Sequence, residues 1–339
     1  MNDTTFNISN SVNSINTDNS DRTFTKRFSI IKELGAGAFC TVYLGYDREQ
    51  KKNVAIKIEK QDVIKKKSRL SCEHELYTLF TYPCEGISEI IWYGKNNNID
   101  ILIMEHLGPS LNDLFIFCDN KFSLKTTCLI AIQTLKRLEK LHSLNIIHRD
   151  IKPDNFLIGL DTNKDIIYLI DLGLSKIFNK KSYKKTCSFK GTLRYSSLRN
   201  HKGIEQSYRD DLESLGYMLI YFSKHSLPWQ NTKIKDKKRK KDIIYNIKKK
   251  HSVSTLCSNL PIEFEYYLKY VQVLMFKEKP DYKYLINLFK NILKKNNLEL
   301  DNEYDWSIKI NSLQHTSKTS DKTVVHDISD DTRNSTRSI

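Results

Sequence analysis

The feature that most constrains this chain is a single change in the spacing of its apolar residues near Leu107. From Phe28 to about Met104 the apolar residues fall in short, β-branched runs: Phe28-Ser29-Ile30-Ile31, Thr41-Val42-Tyr43-Leu44, Val54-Ala55-Ile56-Lys57-Ile58 and Ile101-Leu102-Ile103-Met104. Runs of that length and composition predict strands, and one helical stretch interrupts them near Ser71 to Phe80. After Leu107 the spacing turns helical, as over Leu124 to His142 and Asp211 to Phe222, with short strands only around Phe156-Leu157-Ile158 and Tyr168-Leu169-Ile170. The expected fold is α+β and two-lobed. A small antiparallel sheet with one main helix occupies about 26–105, a larger and mainly helical lobe about 106–306, and a cleft lies where they meet.

Outside that body the sequence changes character. Residues 1–25 and 307–339 are rich in Asn, Ser and Thr and poor in apolar side chains, so both are expected to be disordered tails unable to offset their ordering entropy by burial. The chain carries +15 overall; residues 1–25 and 301–339 carry −2 each, which leaves +19 on residues 26–300. A basic body attracts acidic or phosphorylated partners and, less selectively, nucleic acid. No nucleic-acid-binding motif accompanies the charge, so no specific nucleic acid is expected. Seven cysteines lie far apart with no C-x-x-C pair, which argues against a disulfide framework or a zinc site and for free thiols in a reducing compartment. No run approaches the roughly 20 apolar residues that span a bilayer. Asn2 and the lack of a Cys near the C-terminus give no sign of a lipid anchor. A monomer in the cytoplasm, the nucleus or both is expected.

Four segments carry chemistry. In Gly35-Ala36-Gly37-Ala38-Phe39-Cys40-Thr41-Val42, set in a turn between two strands, glycines let backbone N–H groups approach phosphate oxygens. Such a turn alone is an ordinary hairpin, but Val54-Ala55-Ile56-Lys57 follows one strand later and would supply Lys57 to two phosphates. Alone, Lys57 would be a strand lysine reaching for water. A lysine in that role needs an anion to fix it, and the next helix offers Glu73 and Glu75. In His148-Arg149-Asp150-Ile151-Lys152-Pro153-Asp154-Asn155, Asp150 could accept the proton of an attacking hydroxyl while the Asn155 amide oxygen holds magnesium, a hard ligand for a hard cation. Asp171-Leu172-Gly173 follows a predicted strand, with Asp171 a second magnesium ligand and Leu172 an apolar plug.

Taken together these segments resemble protein kinases, and Lys152, two residues past the base, points to serine and threonine rather than tyrosine. The resemblance is closest to the casein kinase I family, from about Phe28 to Trp306. It is carried by Leu107-Gly108-Pro109-Ser110-Leu111, Lys121-Phe122-Ser123-Leu124-Lys125-Thr126, Gly203-Ile204-Glu205-Gln206-Ser207, Arg209-Asp210-Asp211-Leu212-Glu213-Ser214-Leu215-Gly216-Tyr217, Leu227-Pro228-Trp229-Gln230 and Lys279-Pro280-Asp281-Tyr282. Ser196-Ser197-Leu198 stands where most kinases have Ala-Pro-Glu, as in that family.

The resemblance implies an enzyme that moves the γ-phosphate of ATP, with Mg2+, to serine or threonine in acidic or already phosphorylated protein sites. It selects Glu73 as the partner of Lys57. It places ATP against Leu34, Gly35, Ala36, Gly37, Ala38, Phe39, Cys40, Val42, Ala55, Lys57, Met104, Glu105 and Leu107, and gives Asp150 and Lys152 to catalysis. A substrate anion site falls on Arg194 and, within the run Lys235 to Lys241, on Lys240. On composition that run could also direct nuclear import, although it sits where the family places part of its anion site. Three positions depart from the family pattern: Ala38, Cys40 in place of a third glycine, and Tyr208 in place of an arginine. The alternative is a pseudokinase-type scaffold that binds without turnover, against which stand Lys57, Asp150, Asn155 and Asp171, all present.

Overall fold

The computed structural model describes residues 24–37, 39–60, 68–179, 183–230 and 232–323, with side chains of the last helix described as far as Gln314. The described residues fall into two compact units, one running up to Leu107 together with Ile170–Ser175, the other Gly108–Leu169 together with those from Lys176 onward.

In the first unit, β1 (Phe28–Ala36), β2 (Cys40–Asp47), β3 (Lys52–Glu59), β4 (Ile90–Asn96) and β5 (Ile99–Glu105) make one antiparallel sheet in the order β1-β2-β3-β5-β4. Side chains alternate across a strand, so β3 has two uses. Val54, Ile56 and Ile58 point to one face, where they pack with Phe28, Ile101, Ile103 and Trp92 into the core. Ala55 and Lys57 take the other. The helix α1 (Arg69–Tyr77) buries Leu70, Glu73, Leu76 and Tyr77, a stripe at helical spacing. Its start is fixed twice: Ser68 accepts from the Ser71 N–H at 3.1 Å, and the Arg69 N–H donates to Glu59 at 3.0 Å, tying the helix to the end of β3.

The second unit is helical: α2 (Leu111–Phe117), α3 (Leu124–Ser143), α4 (Leu198–His201), α5 (Tyr208–Lys224), α6 (Lys237–Lys250), α7 (Val253–Leu256), α8 (Ile262–Val273), α9 (Tyr282–Lys295) and α10 (Asp305–Thr323). Two small antiparallel pairs accompany the helices: β6 (Ile146–Ile147) with β9 (Lys176–Ile177), and β7 (Phe156–Ile158) with β8 (Ile167–Leu169). α3 and α5 are buried along most of their length and form the centre of this unit. Among the described residues no helix is long and apolar enough to cross a membrane, and none of the seven cysteines is in a disulfide, three of them being buried.

Three expected boundaries move. Phe24, assigned to a disordered tail ending at residue 25, is buried against Phe28 and Trp92 at ring-centroid distances of 6.2 and 5.9 Å. At the other end, α10 runs through residues 307–323, where a disordered tail was expected. Its first turn is anchored by Trp306, stacked on Tyr304 at 4.3 Å and packed on Phe122 at 5.5 Å, and by Asp305, which accepts from the Ser123 N–H at 2.6 Å. Ser/Thr-rich composition hides a helix held by its base. Residues 1–23 and 324–339 lie outside the described residues. Lastly, Ile170–Ser175 belongs to the first unit rather than the second. Polar bonds from Asp171 and Leu172 to Lys57 and Glu73 hold it there.

His201 on α4 predicts how stability responds to acid. Burial, helped by Lys248, holds its pKa down to about 3. Between the ordinary value near 6.5 and that point the unfolded chain binds a proton that the folded chain does not, so stability falls as pH drops. Urea unfolding at pH 7.5 and 5.0 should show wild-type protein losing about 2 kcal/mol more than His201→Gln over that interval. Equal losses would show that His201 does not set the slope.

Candidate active site

The sheet's second face gathers the first group of site residues. Facing strands place paired residues on the same side, and the register pairs Gly35 with Val42, Val42 with Lys57, and Ala55 with Met104. Gly35, Val42, Ala55, Lys57 and Met104 therefore share one surface, opposite the core. At its end the Gly35–Val42 turn closes through the Gly37 N–H to the Cys40 carbonyl at 2.8 Å, and Lys60 Nζ donates to the Gly37 carbonyl at 2.8 Å. A Cβ on Gly35 would meet nothing, so the surface over this strand is open. Leu34 and Phe39 are exposed, and the Phe39 ring carries the Arg69 guanidinium at 3.3 Å. Ala38 lies outside the described residues. Met104 and Leu107 are buried and Glu105 is half-buried, with its backbone N–H bonded to the Glu89 carbonyl at 3.2 Å.

Lys57 is the hub of this group. Its ammonium donates to both Glu73 oxygens at 2.8 and 2.9 Å and to Asp171 Oδ1 at 2.8 Å. Burial alone would drive its pKa down, but Asp171 and Glu73 outweigh that and push it well up, so the lysine stays charged. Glu73 also accepts from the Leu172 N–H. Glu75, the other carboxylate on this helix, is exposed. Leu172 is buried, as an apolar plug should be. A Cβ on Gly173 would crowd Asp171 Oδ1 at 3.2 Å and Glu73 Oε2 at 3.3 Å, so glycine keeps the two carboxylates close. Burial raises the Cys40 thiol against the pull of Lys57, which leaves it protonated and poorly nucleophilic rather than activated.

The second unit assembles the other group around Asp150. Its carboxylate lies 3.0 Å from Lys152 Nζ and accepts from the Thr192 hydroxyl at 2.7 Å. The Asn155 side-chain amide donates to the Asp150 carbonyl at 2.9 Å, which orients its oxygen for another use. Arg149 sits at φ 69°, a conformation that costs a non-glycine residue energy and is found where the surroundings enforce it. Asp211 on α5 enforces it: fully buried, it accepts from the backbone N–H groups of His148 at 2.7 Å and Arg149 at 2.8 Å. His142 Nε2 lies 2.9 Å from the same carboxylate. Gly191 is also obligatory, because at φ +95° a Cβ would fall 2.3 Å from the Arg149 carbonyl.

Arg194 and Lys240 are less tightly defined. The Arg194 guanidinium lies 5.6 Å from the Tyr221 ring and 5.8 Å from that of Tyr195. Lys240 sits in the first turn of α6, its N–H bonded to the Asp236 carbonyl at 2.9 Å, and no described contact joins it to Arg194. Tyr208, noted as replacing an arginine, is a core residue: it packs on His142 and Phe178 and its hydroxyl donates to Asn145 at 2.9 Å.

Sequence reasoning missed Thr192 and Asp211 as parts of the site. Asp211 was read only for helical spacing and family likeness, and no motif marked Thr192. The residues present suit magnesium. Among the described residues no cluster of three or more His, Cys, Asp or Glu could hold a metal by itself. Magnesium needs none, because it binds through one or two carboxylates together with substrate phosphates and water. The family described as protein kinase domain matches residues 28–299, across both units.

Proposed function

Because the chain belongs to the protein kinase domain family, whose members transfer phosphate from ATP to proteins, we propose that it is a casein kinase I-like serine/threonine kinase of acidic or pre-phosphorylated sites. The observation that carries this reading is the setting of Asp150, whose carboxylate is held between Lys152 and Thr192. That arrangement suits a base that takes the proton of a serine or threonine hydroxyl as the oxygen attacks. Lys152 balances charge beside the attacked phosphate, and Thr192 keeps the carboxylate in one rotamer. Lys57, held charged by Glu73 and Asp171, supplies a fixed cation for two ATP phosphates. Asp171 in the first unit and Asn155 in the second are the candidate magnesium ligands; when bound, the ion would supply positive charge to the transferring group.

The acidic preference rests on the resemblance, on Arg194 and on the +19 of residues 26–300. A guanidinium is well suited to phosphate or carboxylate because it donates in a planar fork. A peptide-array phosphorylation screen tests the whole reading at once. Acidic and phosphoserine-primed serine and threonine peptides should be labelled strongly and basic ones weakly. Labelling of tyrosine, or equal labelling of basic peptides, would overturn it. Arg194→Ala should lower the primed-over-unprimed preference about tenfold with the ATP KM unchanged, the loss of one charge-assisted pair.

A further inference from the structure

Lys248, in the last turn of α6, is only 3% exposed, and burying a lysine is costly unless its ammonium is fully engaged. Here Nζ donates to the Leu193 carbonyl at 3.0 Å and to the Ser196 carbonyl at 2.5 Å. It also lies 4.9 Å from the Tyr217 ring centroid and 5.0 Å from that of Trp229. Two acceptors and two aromatic faces make a cage for a cation. Burial still draws its pKa down to about 7 against the opposing charge of Glu213. The fold thus tolerates a destabilised cation at this point.

The caged ammonium holds one particular turn. The Thr192 carbonyl accepts from the N–H groups of Tyr195 and Ser196 at 3.1 and 3.0 Å and from the Ser196 hydroxyl at 2.9 Å. The Arg194 carbonyl accepts from the Trp229 indole N–H at 2.7 Å. Those of Leu193 and Ser196 accept from Lys248 Nζ. A methionine or leucine of similar length would fill the space but leave two carbonyls without this donor, and unsatisfied buried carbonyls are costly. The residues so fixed lie beside Thr192, whose hydroxyl meets Asp150, and include Arg194.

We propose that Lys248 is a positioning residue for protein-substrate recognition, a buried cationic clamp on the 193–196 turn that sets Thr192 against Asp150 and presents Arg194 to an acidic or phosphorylated substrate. The assignment rests on the kinase reading for its consequence, but not for its geometry. Lys248→Met removes the donor and the charge; Lys248→Arg keeps both.

Two measurements separate the clamp from a general structural role. In hydrogen exchange, Lys248→Met should speed amides 192–197 while α5 keeps its protection. In steady-state kinetics with one primed peptide and its unprimed twin, Lys248→Met should raise the primed-peptide KM about tenfold, leave the ATP KM within about twofold and largely erase the primed preference. Lys248→Arg should recover part of each. Unchanged exchange at 192–197, or a loss of protection spread evenly through the second unit, would overturn the clamp. The exchange result decides this even if wild-type protein phosphorylates no peptide, a failure that would count instead against the reading of the preceding subsection.

Discussion

Asp150→Asn should lower kcat for phosphate transfer to an acidic peptide by about a thousandfold, within the range that a positioned base contributes, while the ATP KM stays within about twofold. Asparagine keeps the shape of the side chain and can still accept from Thr192 at the position now 2.7 Å away. What disappears is the negative charge facing Lys152 at 3.0 Å and the ability to take a proton. Initial rates with labelled ATP measure the change directly. Equal rates in the two proteins would show that Asp150 is not the base and would remove the main support for the proposed mechanism.

Asp211→Ala should be nearly as damaging, for a different reason. This carboxylate never needs to touch a substrate. It accepts from two successive backbone N–H groups of the loop that carries Asp150, and from His142. Breaking such a buried charged network costs about 3–5 kcal/mol, which for a chain of this size lowers the melting midpoint by roughly 10 °C. Once its two bonds are gone, the backbone at Arg149 loses the carboxylate that favours φ 69°, and the aim of the Asp150 carboxylate loosens. Turnover measured well below the new midpoint should therefore fall about a hundredfold, the effect of misplacing a reacting group by about an ångström. A variant that melts early but turns over normally at low temperature would confine Asp211 to stability.

The contrast between these two aspartates shows how far the sequence could be read. Asp150 was legible because its role depends on neighbours fixed in sequence: Lys152 and Asn155 lie within five residues. The strands were legible for a similar reason, since the alternation of Val54, Ile56 and Ile58 with Ala55 and Lys57 is local. Asp211 acts across 62 and 63 residues of chain, and Lys248 across 52 and 55. No spacing rule signals contacts that only packing creates. The same limit explains Tyr208, which looked like a lost arginine and is instead a packed aromatic. It also explains why the grouping of Asp171-Leu172-Gly173 with the first unit was not legible. Those residues follow a strand of the second unit, but their polar bonds reach the first, and sequence order favours the former.

The aromatic anchors at the two ends bear on where such a chain can be cut. The family match spans residues 28–299, yet Phe24, Tyr304 and Trp306 lie outside it and are buried. Phe24 closes one edge of the sheet core on Trp92, and Trp306 seals the base of α2 and α3 through Phe122. The stretch recognisable by descent is thus shorter than the stretch that folds. A fragment trimmed to the recognisable limits would expose the rings these three residues cover, and would trade a stable protein for a sticky one.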